Sequence, residues 1–581
     1  MRVWLLLAGV AAIALAGAVV WRQQAIVARV QGALPARPEI EGQPAVFRDS
    51  LANAEARLKS ARTALDGVAE LGRLYQANGF NAEAEACWRL LRREQRGEAR
   101  WSYHLADLLR VKSDYDGMTA LLEETLRLAP DYAPARLQLA NVQFKSGRFA
   151  VAEGHYRRRL EQLPQDPHAR LGLVRLALQG GRTDEARTLL ERLLADTPHF
   201  SSAHNLYAEL LAAAGDAAGA NRHRWLGRET LRYRDPEDPW LDELLAWCHD
   251  YERLCVLGTI ESQGERHERA QDFFERAIRL DPGRPPAYEL LAGVYLKRND
   301  AGGARDLLEQ ALPRLTGPRT ADIYTTLGAA YRALQQPAEA IRVARLGLKE
   351  VGAQPELLDA LGLALADAGE HDEAIKAWQS ALVGNPGAAS INHQLARSFL
   401  ALRRLDDALA ALDRSLTLQP TFLPTLLLRG EIELQAGHLE DAGKYLLPAF
   451  ESHPHEAQAR RLLAAWHLRS GTAAEEKNDP ALAERHYRDG LAVDENHTEL
   501  LIRLGLFYLA HARPADAIGP LASYHALQPE SAPGCLFLGQ AFAATGRREE
   551  ARDILNKGAQ LADRSGNTKA AEECRRLLQQ L

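Results

Sequence analysis

The sequence predicts an all-α chain, an α-solenoid of repeated helix-turn-helix units, and three periodic features predict it. A column of small residues recurs at Gly72, Ala106, Ala140, Val174, Ala208, Gly258, Ala292, Gly328, Gly362, Ala396, Gly430, Ala464, Gly505 and Gly539, mostly in steps of 34 residues. A second column, almost all alanine, runs from Ala84 through Met118, Ala152 and Ala374 to Ala551. It follows the first by 12 residues in every copy except Ala464 to Ala483, where the gap is 19. Prolines close many copies, at Pro130, Pro164, Pro198, Pro282, Pro386, Pro420, Pro454 and Pro529.

The elements follow in chain order. Val3–Trp21 is uncharged and apolar, and its 19 residues would span roughly 28 Å as a helix, close to the hydrocarbon thickness of a bilayer. Arg2 and Arg22 flank it, with Trp4 and Trp21 at interfacial depth. Residues 1–22 are therefore expected to be a transmembrane signal-anchor. The rival reading is a signal peptide cleaved after Ala14-Leu15-Ala16. The apolar run exceeds the usual signal core and favours the anchor. Arg22, Arg29 and Arg37 lean toward a cytoplasmic array, whereas the signal-like start leans toward the periplasmic side of a bacterial inner membrane, the side preferred here. Residues 23–64 form a linker and an N-terminal capping helix. Gly32–Pro44, rich in Gly and Pro, reads as an extended tether.

Residues 357–386 display one unit. Helix A carries Leu361, Gly362 and Leu365, a turn contains Gly369, and helix B carries Ala374, Trp378 and Ala381 before Pro386 stops it. Two helices approach closely only where no bulky side chain separates them, so Gly362 and Ala374 are expected at the crossing. No unit can bury its apolar face alone, and neighbours must stack.

These residues resemble the tetratricopeptide repeat (TPR). Leu71, Gly72, Tyr75, Ala84 and Trp88 match its pattern, as do Leu327, Gly328, Tyr331 and Ala340, and Leu504, Gly505, Tyr508 and Ala517. The resemblance covers residues 65–563 and implies a right-handed superhelix of about 14 repeats, in a bacterial, membrane-anchored protein that binds other proteins. Repeats 1–5 take residues 65–227 and repeats 6–14 take residues 258–563; residues 564–581 form a C-terminal capping helix. Two steps are long. Residues 228–257 (Arg228–Leu257) are read as an insertion with a long helix on which Trp240, Leu244 and Trp247 share a face, a candidate secondary binding patch at Trp240 and Trp247. The polar Thr472–Asp479 reads as a lengthened A-to-B turn.

Composition narrows the function. The net charge is −6 with a pI near 6.3, which argues against nucleic-acid partners. Five scattered cysteines form no Cys-x-x-Cys pair. No phosphate loop, zinc-protease or nucleophile-elbow pattern occurs. The expectation is no enzyme, no cofactor, no metal and no small-molecule substrate.

That leaves binding. The resemblance implies a concave wall made by the A helices. The early wall positions are basic: Arg73, Arg100, His104, Arg110, Lys145 and Arg175, with Asn141 beside them. The middle positions are acidic: Glu209, Glu252, Glu289, Asp322, Glu356, Asp359 and Asp367. Arg397 follows later. Such segments would select and orient an extended protein partner by charge. Asn141 matches one position of a carboxylate clamp known in the family, but Leu137 stands where its lysine should be.

Overall fold

The computed structural model describes Trp21 and residues 23–25, 27–229, 236–315 and 320–581. Among these residues all regular structure is helical. Fourteen antiparallel helix pairs run from Ala64 to Ser565, with a helix before them (Ala45–Arg57) and one after (Thr568–Gln580). None of these helices is long and apolar enough to cross a membrane. The expected anchor, Trp21 apart, lies outside the described residues. The chain divides into two compact units, residues 1–384 with repeats 1–9 and residues 385–581 with repeats 10–14.

The small column has a steric cause, but its counterpart is not the alanine column. A Cβ on Gly362 would stand 2.5 Å from the Trp378 ring, and one on Gly72 would stand 2.7 Å from Trp88. Trp378 and Trp88 lie four residues beyond Ala374 and Ala84. Gly258 meets Phe274, Gly430 meets Leu446, and Gly505 meets Leu521 in the same way. Alanine lets the helices approach. The large side chain one turn later fills the space that glycine leaves. After each A helix the chain reverses through a left-handed residue: Gly369 (φ +81°) in repeat 9, and Arg403 (φ +59°) at the same place in repeat 10.

Three local expectations are corrected. The extra residues of repeat 12 do not lengthen a turn. Its A helix spans Ala457–Glu476, 20 residues against 13 or 14 in its neighbours. The small residue at its crossing is Gly471, whose Cβ would meet Tyr487 at 2.5 Å. Gly471 lies 12 residues before Ala483 and 34 before Gly505, so the regular spacing returns. The added two turns sit at the front of the helix. Ahead of helix A of repeat 6, the described residues of the insertion form no long helix. Pro239–Leu245 is a seven-residue helix, the chain turns at Ala246 and Trp247, and helix A of repeat 6 begins at Tyr251. Trp247 is therefore not on a helical face with Trp240. Finally, Gly32–Pro44 is no free tether. Val30 is wholly buried in the first core cluster, with Ala33, Leu34 and Ile40 packed on it.

That cluster fixes the topology of the first unit. It joins Phe47 and Leu51 of the capping helix and Leu74, Tyr75 and Trp88 of repeat 1 to Leu244 and Cys248 of the insertion and Leu254 and Cys255 of repeat 6. Burial of this apolar surface brings repeat 6 and the insertion back against the start of the array.

Candidate functional site

Helix A of repeat 1 (Ala64–Ala77), helix A of repeat 2 (Ala99–Val111) and the entry to helix A of repeat 3 (Ala133–Lys145) form the early wall. The wall is occupied by the chain's own residues 238–249. Asp238 caps the short helix, its Oδ1 accepting from Leu241 N at 3.3 Å. The same carboxylate accepts from the hydroxyls of Tyr103 and Tyr132, the latter at 2.6 Å. Gln138 donates to the Tyr103 oxygen at 2.6 Å, orienting the donor. The Trp240 ring lies nearly parallel on Tyr132, centroids 3.5 Å apart, and edge-on to Tyr103 at 5.5 Å. Glu243 reaches Arg73 at 3.4 Å and Arg100 at 3.9 Å.

Beyond the helix, Asn78 receives the backbone on both sides of Cys248. Its Nδ2 donates to the Trp247 carbonyl at 2.8 Å, and its Oδ1 accepts from His249 N at 2.6 Å. Arg276, from repeat 6, donates to the carbonyls of Leu245 (2.8 Å) and Cys248 (2.7 Å), satisfying the end of the short helix.

Burial sets the protonation of this site. It pushes the Asp238 carboxyl above the ordinary carboxylate value, against the opposing hydrogen bonds from the two tyrosines. Burial also raises both phenols, with the Asp238 carboxylate adding to the effect. His104 is wholly buried and stacks on Trp88 at 4.6 Å, and neither ring nitrogen has a hydrogen-bond partner. Burial, with Arg73 and Arg100 nearby, lowers its pKa to about 3. His104 is thus a core residue; the structure removes it from the groove.

The other expected groove residues divide into two sets. Several already have partners within the chain. Arg110 pairs with Asp107 at 3.1 Å, Asn141 accepts from the Tyr156 hydroxyl at 2.7 Å, and Glu252 pairs with Arg284. Glu289 accepts from Thr320, Asp359 accepts from Trp378 Nε1 at 2.8 Å, and Asp367 pairs with Arg332. Burial raises the carboxyl pKa of both Glu289 and Asp359. The second set, Lys145, Arg175, Glu209, Asp322, Glu356 and Arg397, stands exposed. Lys145 lies over the Tyr115 ring at 5.9 Å, and Arg397 donates to Gln394 at 3.3 Å. Arg73, Arg100 and Trp240 are brought together; Trp247 lies apart, at the turn after the short helix.

Sequence reasoning missed Tyr103, Tyr132, Asp238, Glu243 and Asn78. One signal was available: the insertion reads Asp238-Pro239-Trp240-Leu241-Asp242-Glu243, acidic and aromatic, opposite a basic wall in the same chain. Among the described residues, no group of three or more His, Cys, Asp or Glu side chains could hold a metal ion. All five cysteines are free and buried.

Models of the tetratricopeptide repeat match residues 143–210, 263–319 and 359–421. The chain is a tetratricopeptide-repeat protein. Its TPR array is similar to the cellulose synthase operon protein C of Xanthomonas axonopodis pv. citri, 25% identical over 74% of this chain and 30% of that protein. It is also similar to the cellulose synthase 2 operon protein C of Komagataeibacter xylinus, 32% identical over 36% of this chain and 15% of that protein. The chain thus spans about a third or less of the length of these curated relatives. Among solved structures, YrrB, a TPR protein with an unusual peptide-binding site, is 25% identical over 30% of this chain and 90% of that one, with a TM-score of 0.25. Both of these relatives are bacterial, as the resemblance implied.

Proposed function

We propose that this TPR protein is a non-catalytic scaffold that binds segments of partner proteins on the A-helix walls of its repeats. Val3–Trp21 tethers it to the bacterial inner membrane, with the array on the periplasmic side, where it serves cell-envelope assembly or secretion. One observation carries the reading. The early wall already holds a peptide segment, through an indole on Tyr132, a carboxylate between two phenols, and an Asn side chain on the backbone. Those are the contacts by which a rigid wall recognises an extended or short helical partner. The same kind of wall stands exposed at Glu209 and Glu356.

A second reading makes the chain an accessory, substrate-recruiting subunit of an envelope enzyme complex, a glycosyltransferase or a redox complex; the name of the relatives, proteins of cellulose synthase operons, supports the former. One experiment addresses both. A photo-crosslinking residue is placed in cells at Glu209 or Glu356, and, as a control, at Lys376 on a B helix. Discrete protein adducts from the wall positions alone support the scaffold. Identification of an adduct as a catalytic subunit favours the second reading. Adducts of equal yield from Lys376, or none from the wall, reject wall binding.

A further inference from the structure

We propose that the A-helix wall of repeats 1 to 3 is a recognition site for an acidic, tryptophan-bearing peptide segment, which residues 238–249 of this chain occupy as an internal competitor. The inference rests on the reading that these walls bind protein segments, and it names the chemistry of one such site and what closes it.

The composition of the site specifies its ligand. Two hydroxyl donors, Tyr103 and Tyr132, converge on one carboxylate, and the flat face of Tyr132 takes an indole two residues further on. Two guanidinium groups, Arg73 and Arg100, face an acid three residues beyond the indole. The ligand is therefore a partner segment of the form Asp-x-Trp-x-x-Glu, with an apolar residue following Glu243 in the role of the buried Leu244.

The helical shape and the charged contacts of the internal segment each contribute little. A seven-residue helix does not hold its shape without a surface to lie on. The Glu243 side chain is 43% exposed and its ion pairs are long, so solvent screens them. Asp238 is buried against neutral hydroxyls rather than a cation, so a charged carboxylate is costly there. What favours occupancy is covalent attachment, which gives a short tethered segment an effective concentration on the order of millimolar. A free segment displaces it once the ratio of its concentration to its own dissociation constant exceeds the ratio of that effective concentration to the dissociation constant of the internal segment. Displacement would also release Glu243 from Arg73 and Arg100 and the backbone of Trp247 and His249 from Asn78, leaving repeat 6 held to repeat 1 by the Arg253 bond to the Gln76 carbonyl (3.4 Å) and by the apolar cluster.

The test uses the full chain and a fluorescent peptide with the sequence of residues 236–249. In the opened variant, Asp238→Asn with Trp240→Ala, the internal competitor is weakened and the wall is intact. The peptide should bind this variant at least about tenfold more tightly than the wild type, and its binding should weaken as salt rises. Adding Tyr132→Ala to the opened variant should abolish binding. The proposal is overturned if an opened variant of unchanged helicity binds the peptide no better than the wild type, or if Tyr132→Ala leaves binding unaltered. Should the opened variant unfold, hydrogen exchange on the wild type decides instead. Saturating peptide should speed exchange at residues 239–249, and unchanged exchange overturns the proposal. Because this assay uses a defined peptide on repeats 1 to 3, its failure is separable from absence of adducts at Glu209 and Glu356.

Discussion

Gly362 and Gly328 occupy the same position in neighbouring repeats, yet replacement by alanine should act in opposite directions. Alanine is favoured over glycine in a helix interior by about 1 kcal/mol. At Gly328 nothing lies within 4 Å of the added Cβ, because Ala344 stands where other repeats place a large side chain. Gly328→Ala should therefore stabilise repeat 8 by about 0.5–1 kcal/mol. At Gly362 the Cβ falls 2.5 Å from the Trp378 ring, which is 1% exposed and has nowhere to move. Overpacking of this kind costs roughly 1–3 kcal/mol. Moving the indole also strains its 2.8 Å bond to Asp359, a further ~1 kcal/mol if that bond is lost. After subtracting the helix preference, Gly362→Ala should destabilise by about 1–3 kcal/mol, so the two variants should differ by about 2–4 kcal/mol. Native-state hydrogen exchange is the suitable assay, because damage in a repeat array stays near its source. Amides of residues 355–384 should exchange faster in Gly362→Ala, and those of residues 321–350 slower in Gly328→Ala. If both variants shift the same way by similar amounts, the small column reflects backbone preference and the steric account is wrong.

Three further outcomes are expected. Gly471→Ala should cost about 1–3 kcal/mol, as at Gly362; no loss of stability would return the crossing to Ala464. His393 is 8% exposed, and its pKa is lowered to about 4 by burial and by Arg397; since the unfolded chain takes up this proton near the ordinary value, the contribution is full above pH ~6.5 and lost as pH falls toward 4, by up to about 3 kcal/mol. Urea midpoints of the wild type should therefore drop faster between pH 7 and 4.5 than those of His393→Gln, and parallel curves would contradict this. The protein should resist alkaline carbonate extraction and keep Trp4 in its mature N-terminus; a sequence beginning at Gly17 or Val19 would show a cleaved signal instead.

The helix pairs were legible because their cause is local and repeats. A glycine opposite a large side chain leaves the same trace at Gly72, Gly258 and Gly362. Where the repeat was misread, two small residues competed for one role. Ala464 keeps the 34-residue step from Gly430 and Gly471 keeps the 34-residue step to Gly505, and the contact between Gly471 and Tyr487 decides which residue lies at the crossing. The site was less legible for a different reason. Position in a repeat says which face a side chain occupies, but not what else in the chain comes to that face. Arg73 and Arg100 do lie on the early wall, yet Glu243, far away in sequence, already meets them. His104 was assigned to the wall by its register and is buried instead, because Trp88 from helix B covers it.

The same distinction changes where a partner's affinity should come from. In the first unit the exposed wall charges outside the ion pairs and hydrogen bonds described above are Lys145 and Arg175, then Glu209, and later Asp322 and Glu356. An exposed charge pair contributes at most about 1 kcal/mol and is screened by salt. A partner held by these alone would bind loosely and would dissociate at high ionic strength. The chain's own segment shows the alternative. Its charges set orientation, while Trp240 on Tyr132 and the buried Leu244 supply the apolar contact. A partner of the later repeats needs an equivalent anchor. On helix A of repeat 5, Leu206 is half-buried at the edge of the apolar cluster of repeats 4 and 5. It lies three residues before the exposed Glu209, on the same helix face. Charge reversal at Glu209 should mainly change the salt dependence of binding, whereas Leu206→Ala should remove most of the affinity. A partner whose affinity falls as much with Glu209→Lys as with Leu206→Ala, and equally at low and high salt, would contradict this division between orientation and anchoring.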